Sequence, residues 1–172
     1  MIDISLSFNA ERFDFDLFMA GDGADRDLQG DDGLLTAVII SLFTDRRANA
    51  DDPLPDERIG VPSDLRGWWG DHILDADAQD PIGSRLWLLS REKDMDVVVA
   101  RAQQYADESL RWLIRDGRVG ELHVTALRVE KGHLGIDVRA LPLPGMDEKT
   151  REWTFVYDYQ NAALVSITAP GV

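Results

Sequence analysis

The sequence predicts a single α+β domain, residues 1–172, in which antiparallel β-hairpins pack with one short and one long amphipathic helix. Two patterns support this fold class. Polar and apolar residues alternate near both ends of the chain, as in half-buried strands, and apolar residues recur every three or four positions in the middle, as in amphipathic helices. A chain of 172 residues can bury about two thirds of its unfolded surface, which is enough for one core.

The N-terminal residues predict a β-hairpin. Apolar side chains alternate at Ile4, Leu6 and Phe8, and they alternate again through residues 12–19, after a short turn at residues 9–11. A turn-rich acidic segment follows at residues 21–27.

Two helices are predicted further along the chain. Residues 34–44 form a short apolar helix, which Asp31 or Asp32 would cap. Residues 94–116 form a long amphipathic helix, because their apolar side chains follow the helical repeat and Gly117 supplies a stop signal.

Two segments between these helices are less regular. Residues 49–67 contain three prolines and no sustained period, which predicts a long loop, and loops of this length are usually functional or mobile. Residues 84–90 are apolar, and periodicity does not decide between a short helix and a strand.

The C-terminal part is predicted to be β-rich. Residues 122–129 and 134–140 form a hairpin whose tight turn contains Gly132. Alternating aromatic residues at 153–159 form a final strand, and residues 162–172 form a short extension.

Charge excludes several classes of partner. The net charge of -14 argues against nucleic acid and anionic membranes, because both need clustered Lys and Arg. The acidity lies in residues 1–80, which hold 19 acidic and 6 basic side chains. The start of the chain lacks the basic and apolar regions of a secretory signal, so we expect a cytoplasmic protein. The most apolar window, residues 34–43, is too short to span a membrane.

Motifs for catalysis or metal binding are weak. The histidines, His72, His123 and His133, have no metal-ligand spacing, and the aspartates of residues 22–32 do not follow the EF-hand order. The chain has no Cys, no nucleophile motif and no phosphate-binding loop. We therefore expect no catalytic residues, no metal, no cofactor and no small-molecule substrate.

Arginine and tryptophan are concentrated in the middle of the chain. These two residue types dominate interface hot spots, because a rigid ring buries much area and a guanidinium can bind a carboxylate through two bonds. Trp87 and Trp112 lie in apolar patterns and are predicted to be core residues. Of the adjacent Trp68 and Trp69, we expect one to face inward and the other to be available to a partner.

Three ordered blocks, residues 35–48, 66–71 and 83–93, resemble the baseplate protein family of Mu-like contractile-tailed bacteriophages. The helical pattern at residues 102–117 continues the resemblance, so a family-like core covers about residues 31–117, before a β-rich part at 121–160. Leu65 departs from the basic residue expected there.

The resemblance implies a structural tail protein, similar to the small wedge proteins called sheath initiators, located in the virion tail baseplate and assembled in the host cytoplasm. Its partners would be other tail proteins, namely the baseplate wedge, the tube or hub, and the sheath. The residues that the resemblance marks as assembly or fold-defining contacts are Asp45, Arg46, Arg47, Arg66, Trp68, Trp69, Asp71, Arg85, Arg91, Glu92 and Lys93.

Two alternatives remain open. One is a cell-wall-directed hydrolase of the tail that uses carboxylates or a metal, and the other is an acidic adaptor unrelated to tails. A further expectation concerns assembly: residues 153–159 or the N-terminal hairpin would offer a strand edge to a partner, and deletion of residues 151–172 would leave a folded core.

Overall fold

The computed structural model describes residues 33–55, 64–68, 71, 81–93, 95–145 and 149–169, and the backbone of six short strands before residue 32. The short strands are β1 (Asp3–Ile4), β2 (Leu6–Asn9), β3 (Asp14–Leu17), β4 (Met19–Ala20), β5 (Asp27–Leu28) and β6 (Gly30–Asp31). The remaining elements are α1 (Leu34–Phe43), a 3₁₀ helix (Leu86–Arg91), α2 (Met95–Leu110), α3 (Trp112–Arg115), β7 (Glu121–Glu130), β8 (His133–Leu141), β9 (Arg151–Asp158) and β10 (Ala163–Thr168).

The main sheet has four antiparallel strands in the order β10-β9-β8-β7. The hairpin between β7 and β8 turns at Gly132, whose φ of 88° is left-handed and suits glycine. The predicted hairpin at residues 122–140, the final strand and its C-terminal extension are therefore all present, and the α+β fold class is confirmed.

The predicted N-terminal hairpin is also confirmed. Strand β2 pairs antiparallel with β3, in a register that sets Leu6 opposite Leu17 and Asn9 opposite Asp14. Two further pairings, β4 with β5 and β1 with β6, were not predicted from the sequence.

The short apolar helix is confirmed as α1, but neither Asp31 nor Asp32 occupies its N-cap position. The residue at the N-cap is Gly33, which has a φ of 73° and contributes no side-chain hydrogen bond. Asp31 pairs instead with Asp3 in the ladder between β6 and β1, so its backbone belongs to a strand. Asp32 lies outside the described residues.

The long amphipathic helix is confirmed with one break. Helix α2 buries a stripe of side chains on one face, and the chain makes a turn at Arg111 before α3. Gly117, with a φ of 63°, ends α3 as predicted. The stripe on α2 comprises Val98, Ala102, Tyr105, Ala106 and Leu110.

The apolar segment at residues 84–90 becomes a 3₁₀ helix, which resolves the choice between helix and strand. Its residues Leu86, Trp87, Leu88 and Leu89 are all buried. A segment that is apolar on every side has no amphipathic period, which is why periodicity could not identify it.

The core lies between one face of the sheet and the helices. Strand β9 points Trp153, Phe155 and Tyr157 into this core, and the ring of Phe43 at the end of α1 lies 5.5 Å from the rings of Phe155 and Tyr157. Burial raises the pKa of Tyr157 far above its ordinary value.

The expectation that residues 153–159 offer a strand edge is wrong. Strand β9 lies between β8 and β10 and is hydrogen-bonded on both sides, so it has no free edge. Within the described residues the outer strands of the main sheet are β7 and β10.

Candidate assembly surface

Three separate segments meet beside the end of α1 and form the Arg/Trp cluster, which we define as residues 44–48, 65–68 and 83–87. The N–H of Ser84 donates to the Thr44 carbonyl and the N–H of Arg46 donates to the Ser84 carbonyl, each over 2.9 Å. The N–H of Ala48 donates to the Leu65 carbonyl over 3.0 Å. The three blocks of the predicted resemblance are therefore neighbours in space.

Glycine permits the closest approach between these segments. A Cβ atom added to Gly83 would lie 2.2 Å from the Thr44 carbonyl oxygen, and the Gly83 φ of 96° is left-handed. Gly67 permits the contact between residues 44–48 and 65–68 in the same way, because a Cβ atom added to it would lie 2.8 Å from the Cβ of Arg47. Both positions need glycine for space and for conformation.

Arg85 is the buried centre of the cluster, with 7% of its surface exposed. Its Nη1 atom donates to both carboxylate oxygens of Asp52, at 2.8 and 2.9 Å, and its Nη2 atom donates to Glu108 on α2. The guanidinium also lies over the ring of Tyr105, 4.7 Å from the ring centroid. These contacts tie the long loop and the 3₁₀ helix to α2.

The two carboxylates compensate for the burial of Arg85. Burial alone would lower the pKa of Arg85, but the hydrogen bonds and charges of Asp52 and Glu108 raise it. Burial also raises the pKa of Tyr105, and the charge of Asp52 adds to that effect. The network therefore stabilises a charged guanidinium and a neutral phenol in contact with each other.

Arg46 extends this network through its side chain and its backbone. Its Nη1 atom lies 3.2 Å from Oε1 of Glu108, which therefore binds two arginines. The Arg46 carbonyl accepts a hydrogen bond of 2.9 Å from the indole N–H of Trp87. Trp87 is buried, which confirms the prediction that it is a core residue.

Arg66 joins the exposed side of the cluster to Trp87. Its guanidinium forms an ion pair with Asp45 and lies over the Trp87 ring, 4.5 Å from the ring centroid. Leu65, the departure from the expected basic residue, packs partly buried against the core.

Other predicted residues lie at the surface of the cluster or beside it. Arg47 is exposed and forms no ion pair with a described residue, and Trp68 has 38% of its surface exposed. Asp71 accepts a hydrogen bond of 3.3 Å from the N–H of Ile82. Trp69 lies outside the described residues, so only half of the prediction for the tryptophan pair can be compared with the structure.

The remaining three predicted residues lie at the end of the 3₁₀ helix and in the segment that leads to α2. Glu92 forms an ion pair of 3.6 Å with Arg101, and its carboxylate accepts a hydrogen bond from the N–H of Lys93. Arg91 ends the 3₁₀ helix and is exposed. The ion pair of Glu92 and its bond with Lys93 therefore lie outside the Arg/Trp cluster.

Sequence reasoning missed Asp52, Glu108 and Tyr105, the partners of Arg85. One signal was available: Arg85 precedes an unbroken apolar run, and an arginine in such a run needs buried counter-ions. The sequence did not indicate which of its many acidic residues would supply them.

A cleft of about 580 Å³ lies between α1 and the α2–α3 region, next to the cluster. Its lining combines apolar and arginine side chains, and Ile40 is 45% exposed. Trp112, predicted to be a core residue, is half-buried in this lining, and its indole N–H donates to Ser41 Oγ over 2.9 Å. Lining residues include Ala37, Ile40, Ile82 and Trp112, with Arg46 and Arg111.

Neither described histidine belongs to a group that could hold a metal ion. His123 is exposed and lies 3.0 Å from Glu121, and His133 lies 3.5 Å from Glu130. Among the described residues, no cluster of three or more potential metal ligands is present. His72 lies outside them. No helix in the described part of the chain has the length and apolar character needed to cross a membrane.

Comparison with known proteins links these features to phage tails. Residues 34–143 match the model of the family described as phage protein GP46. The chain is 46% identical to baseplate protein gp46 of Escherichia phage Mu over 144 residues, which cover 84% of this chain and 89% of that protein. It is 36% identical to the Mu-like prophage FluMu protein gp46 of Haemophilus influenzae over 125 residues, or 73% and 78% of the two chains.

Proposed function

The chain belongs to the phage GP46 protein family, which confirms the resemblance to Mu-like baseplate proteins and supports a structural role in a phage baseplate. From this premise we propose that it is a component of a contractile tail, in a phage or a prophage, and that it binds other tail proteins during assembly. The whole chain, residues 1–172, would act as one domain, located in the virion tail and assembled in the host cytoplasm.

The observation that carries this proposal is that the Arg/Trp cluster has an inner part with a buried anchor and an outer part that is exposed. The inner part is Arg85, which binds Asp52 and Glu108 outside the cluster and so ties it to the long loop and to α2. The outer part presents Arg47 and Trp68 at the surface. A rigid base that presents an arginine and a tryptophan has the composition of a protein-binding hot spot.

The proposed partners are the baseplate wedge, the tube or hub, and the sheath, as for a sheath initiator. The cleft beside the cluster supports a binding role, because it offers apolar area at Ile40 next to polar rims. Apolar centres with polar rims are typical of protein interfaces.

We propose binding rather than catalysis. The carboxylates of Asp52 and Glu108 both accept hydrogen bonds from Arg85, which engages the oxygens that an attacking water or a substrate would need. A peptidoglycan-release assay with the purified protein checks this. Turnover that disappears on substitution of one Asp or Glu would contradict the proposal.

Co-purification with a candidate wedge protein from the same phage or prophage genome tests the interface. We expect Arg47→Ala and Trp68→Ala to weaken binding by about tenfold or more, because both residues belong to hot-spot types. Arg128→Ala is the matched control, since Arg128 is exposed on β7, outside the cluster. If folded Arg47→Ala and Trp68→Ala proteins bind as tightly as the control, the assignment of the cluster is wrong. If the unchanged protein binds no tail protein, the assembly role is wrong.

A further inference from the structure

One outer strand of the main sheet, β7, has backbone groups in the middle of its outer edge that bind a side chain of α2. Gln103 on α2 donates from Nε2 to the Val124 carbonyl over 2.6 Å, and its Oε1 atom accepts from the N–H of Ala126 over 2.7 Å. In an antiparallel sheet the N–H and C=O of one residue point to the same side of the strand. The backbone groups of Val124 and Ala126 therefore face away from β8.

The side-chain amide of Gln103 takes the place of a strand at this point. It offers one donor and one acceptor, as a peptide group of an adjacent strand would. Unpaired strand edges are templates for pairing with another chain, and native proteins cover them for this reason. Gln103 covers the middle of β7, so a new strand could not pair along the whole of this edge.

We propose that Gln103 blocks a latent interface, and that in the absence of this side chain β7 pairs antiparallel with β7 of a second copy of the chain. The register follows from the two hydrogen bonds. A two-fold axis at Thr125 sets Val124 of each copy opposite Ala126 of the other, so that the Val124 carbonyl accepts from the Ala126 N–H of the other copy, and each of these groups replaces its bond to Gln103.

Side chains on β7 are compatible with this register. His123 would lie opposite Leu127 and Leu122 opposite Arg128, so no two like charges meet across the regular part of the pair, which ends at the bulge between Arg128 and Glu130. Leu127 is exposed in the single chain, with 39% of its surface accessible. Pairing would place it beside a cross-strand neighbour. The inference rests on the sheet alone and does not depend on the proposed function.

The first experiment compares Gln103→Ala with Gln104→Ala. Gln104 is the neighbouring residue on α2 and is exposed, so its substitution is a matched control. In dilute Gln103→Ala protein we expect the amide of Ala126 to exchange with solvent about tenfold faster, because it has lost its hydrogen-bond acceptor. At rising concentration the protein should form dimers in light scattering, and protection of Ala126 should return. Gln104→Ala should match the unchanged protein in both measurements.

Two further variants make the test specific. Gln103→Met keeps the length of the side chain and lacks the amide, so it replaces the alanine variant if that protein is too unstable. Gln103→Ala combined with Thr125→Lys sets two lysines opposite each other in the proposed dimer, and it should stay monomeric while Ala126 still exchanges fast. Unchanged exchange at Ala126, a Gln103 variant that stays monomeric at every concentration, or a double variant that still dimerises would each overturn the inference.

Discussion

One nitrogen of Arg85, Nη1, donates to both carboxylate oxygens of Asp52, and both side chains are almost inaccessible to solvent. Replacing Arg85 with alanine leaves the Asp52 carboxylate buried without its counter-ion. We expect the free energy of unfolding to fall by about 3–5 kcal/mol, as is usual when a buried pair loses one partner. Urea unfolding followed by circular dichroism measures this loss.

Two further variants test whether the loss of the buried counter-ion causes this fall in the free energy of unfolding. Arg111→Ala removes an arginine whose side chain is 74% exposed, so the unfolding curve should change little. Arg85→Met combined with Asp52→Leu removes both charges, and it should cost less than the single alanine substitution. Equal losses for Arg85→Ala and Arg111→Ala would contradict the structural role of Arg85.

Gly83→Ala should prevent the three segments of the cluster from meeting. The new Cβ would collide with the Thr44 carbonyl oxygen, 2.2 Å away, in addition to the strain of a left-handed φ. Gly145→Ala is the control, because its φ of 87° carries similar strain and nothing lies within 4 Å of the added atom. Strain alone costs about 1–3 kcal/mol. Thermal unfolding should show the larger loss at Gly83, and equal losses would mean that the close approach is not needed.

The ionised carboxylate of Asp158 should contribute to the free energy of unfolding at neutral pH, and this contribution should be lost in acid. Burial tends to raise the pKa of Asp158, but hydrogen bonds from the side chain and N–H of Asn161 and from the N–H of Gln160, with the charge of His133, lower it overall. A depressed pKa in the folded state contributes stability above the unfolded pKa of about 3.9, and this contribution is lost as the pH falls through the folded value.

Asp158→Ala tests this dependence. It should cost about 1 kcal/mol at pH 7, where the carboxylate caps the turn after β9. The loss of free energy of unfolding caused by this substitution should be smaller at about pH 3, below the unfolded pKa. Urea unfolding at the two pH values gives the comparison, and a cost independent of pH would contradict the capping role of the charge.

Deletion of residues 151–172 should unfold the protein, so the structure reverses the expectation from the sequence that a folded core would remain. Strand β9 carries Trp153, Phe155 and Tyr157 in the core, and removal of one large core side chain typically costs about 3–5 kcal/mol. Three such losses reach the total stability of a typical domain, about 5–15 kcal/mol. Circular dichroism should show loss of cooperative unfolding. A truncated protein that still melts cooperatively would mean that the rest of the fold is independent of β9.

The acidity of residues 1–80 predicts how the protein meets a basic partner. If this half docks first, the association rate with the wedge protein should fall steeply as salt rises, while the dissociation rate changes little. Salt has this effect because the screening length is about 10 Å at 0.1 M ionic strength. Stopped-flow binding at several salt concentrations measures both rates, and an association rate that ignores salt would exclude steering.

Elements with a strong local pattern could be predicted from the sequence. The stripe on α2 and the hairpin at Gly132 both follow from residues close together in the chain. The turn at Arg111 could not be predicted, because no proline or glycine marks it. It precedes Trp112, whose indole bonds Ser41 from a position 71 residues away, and sequence patterns do not record contacts of this kind.

The Arg/Trp cluster was also only partly predictable. Its arginines and tryptophans could be identified from the sequence by residue type, but the contacts between its three segments could not. The partners of Arg85 lie 33 residues before it and 23 residues after it, in a chain with 32 acidic side chains, so composition could not single them out. The position of β9 inside the sheet was missed because an alternating pattern identifies a strand but not its neighbours.

The β-bridge between Asp45 and Ser84 affects how the length of the chain between them can vary. It joins the two ends of residues 46–83, the segment that contains the proline-rich loop, and Gly83 lets the two backbones come this close. Once the ends of a loop are fixed, each doubling of its length adds only about 0.6 kcal/mol of closure entropy. Changes of length in this segment therefore cost little closure entropy, provided that Asp52, Leu54 and Leu65 keep their contacts with the core. The segment can diversify between these anchoring residues while α1 and the 3₁₀ helix keep their places.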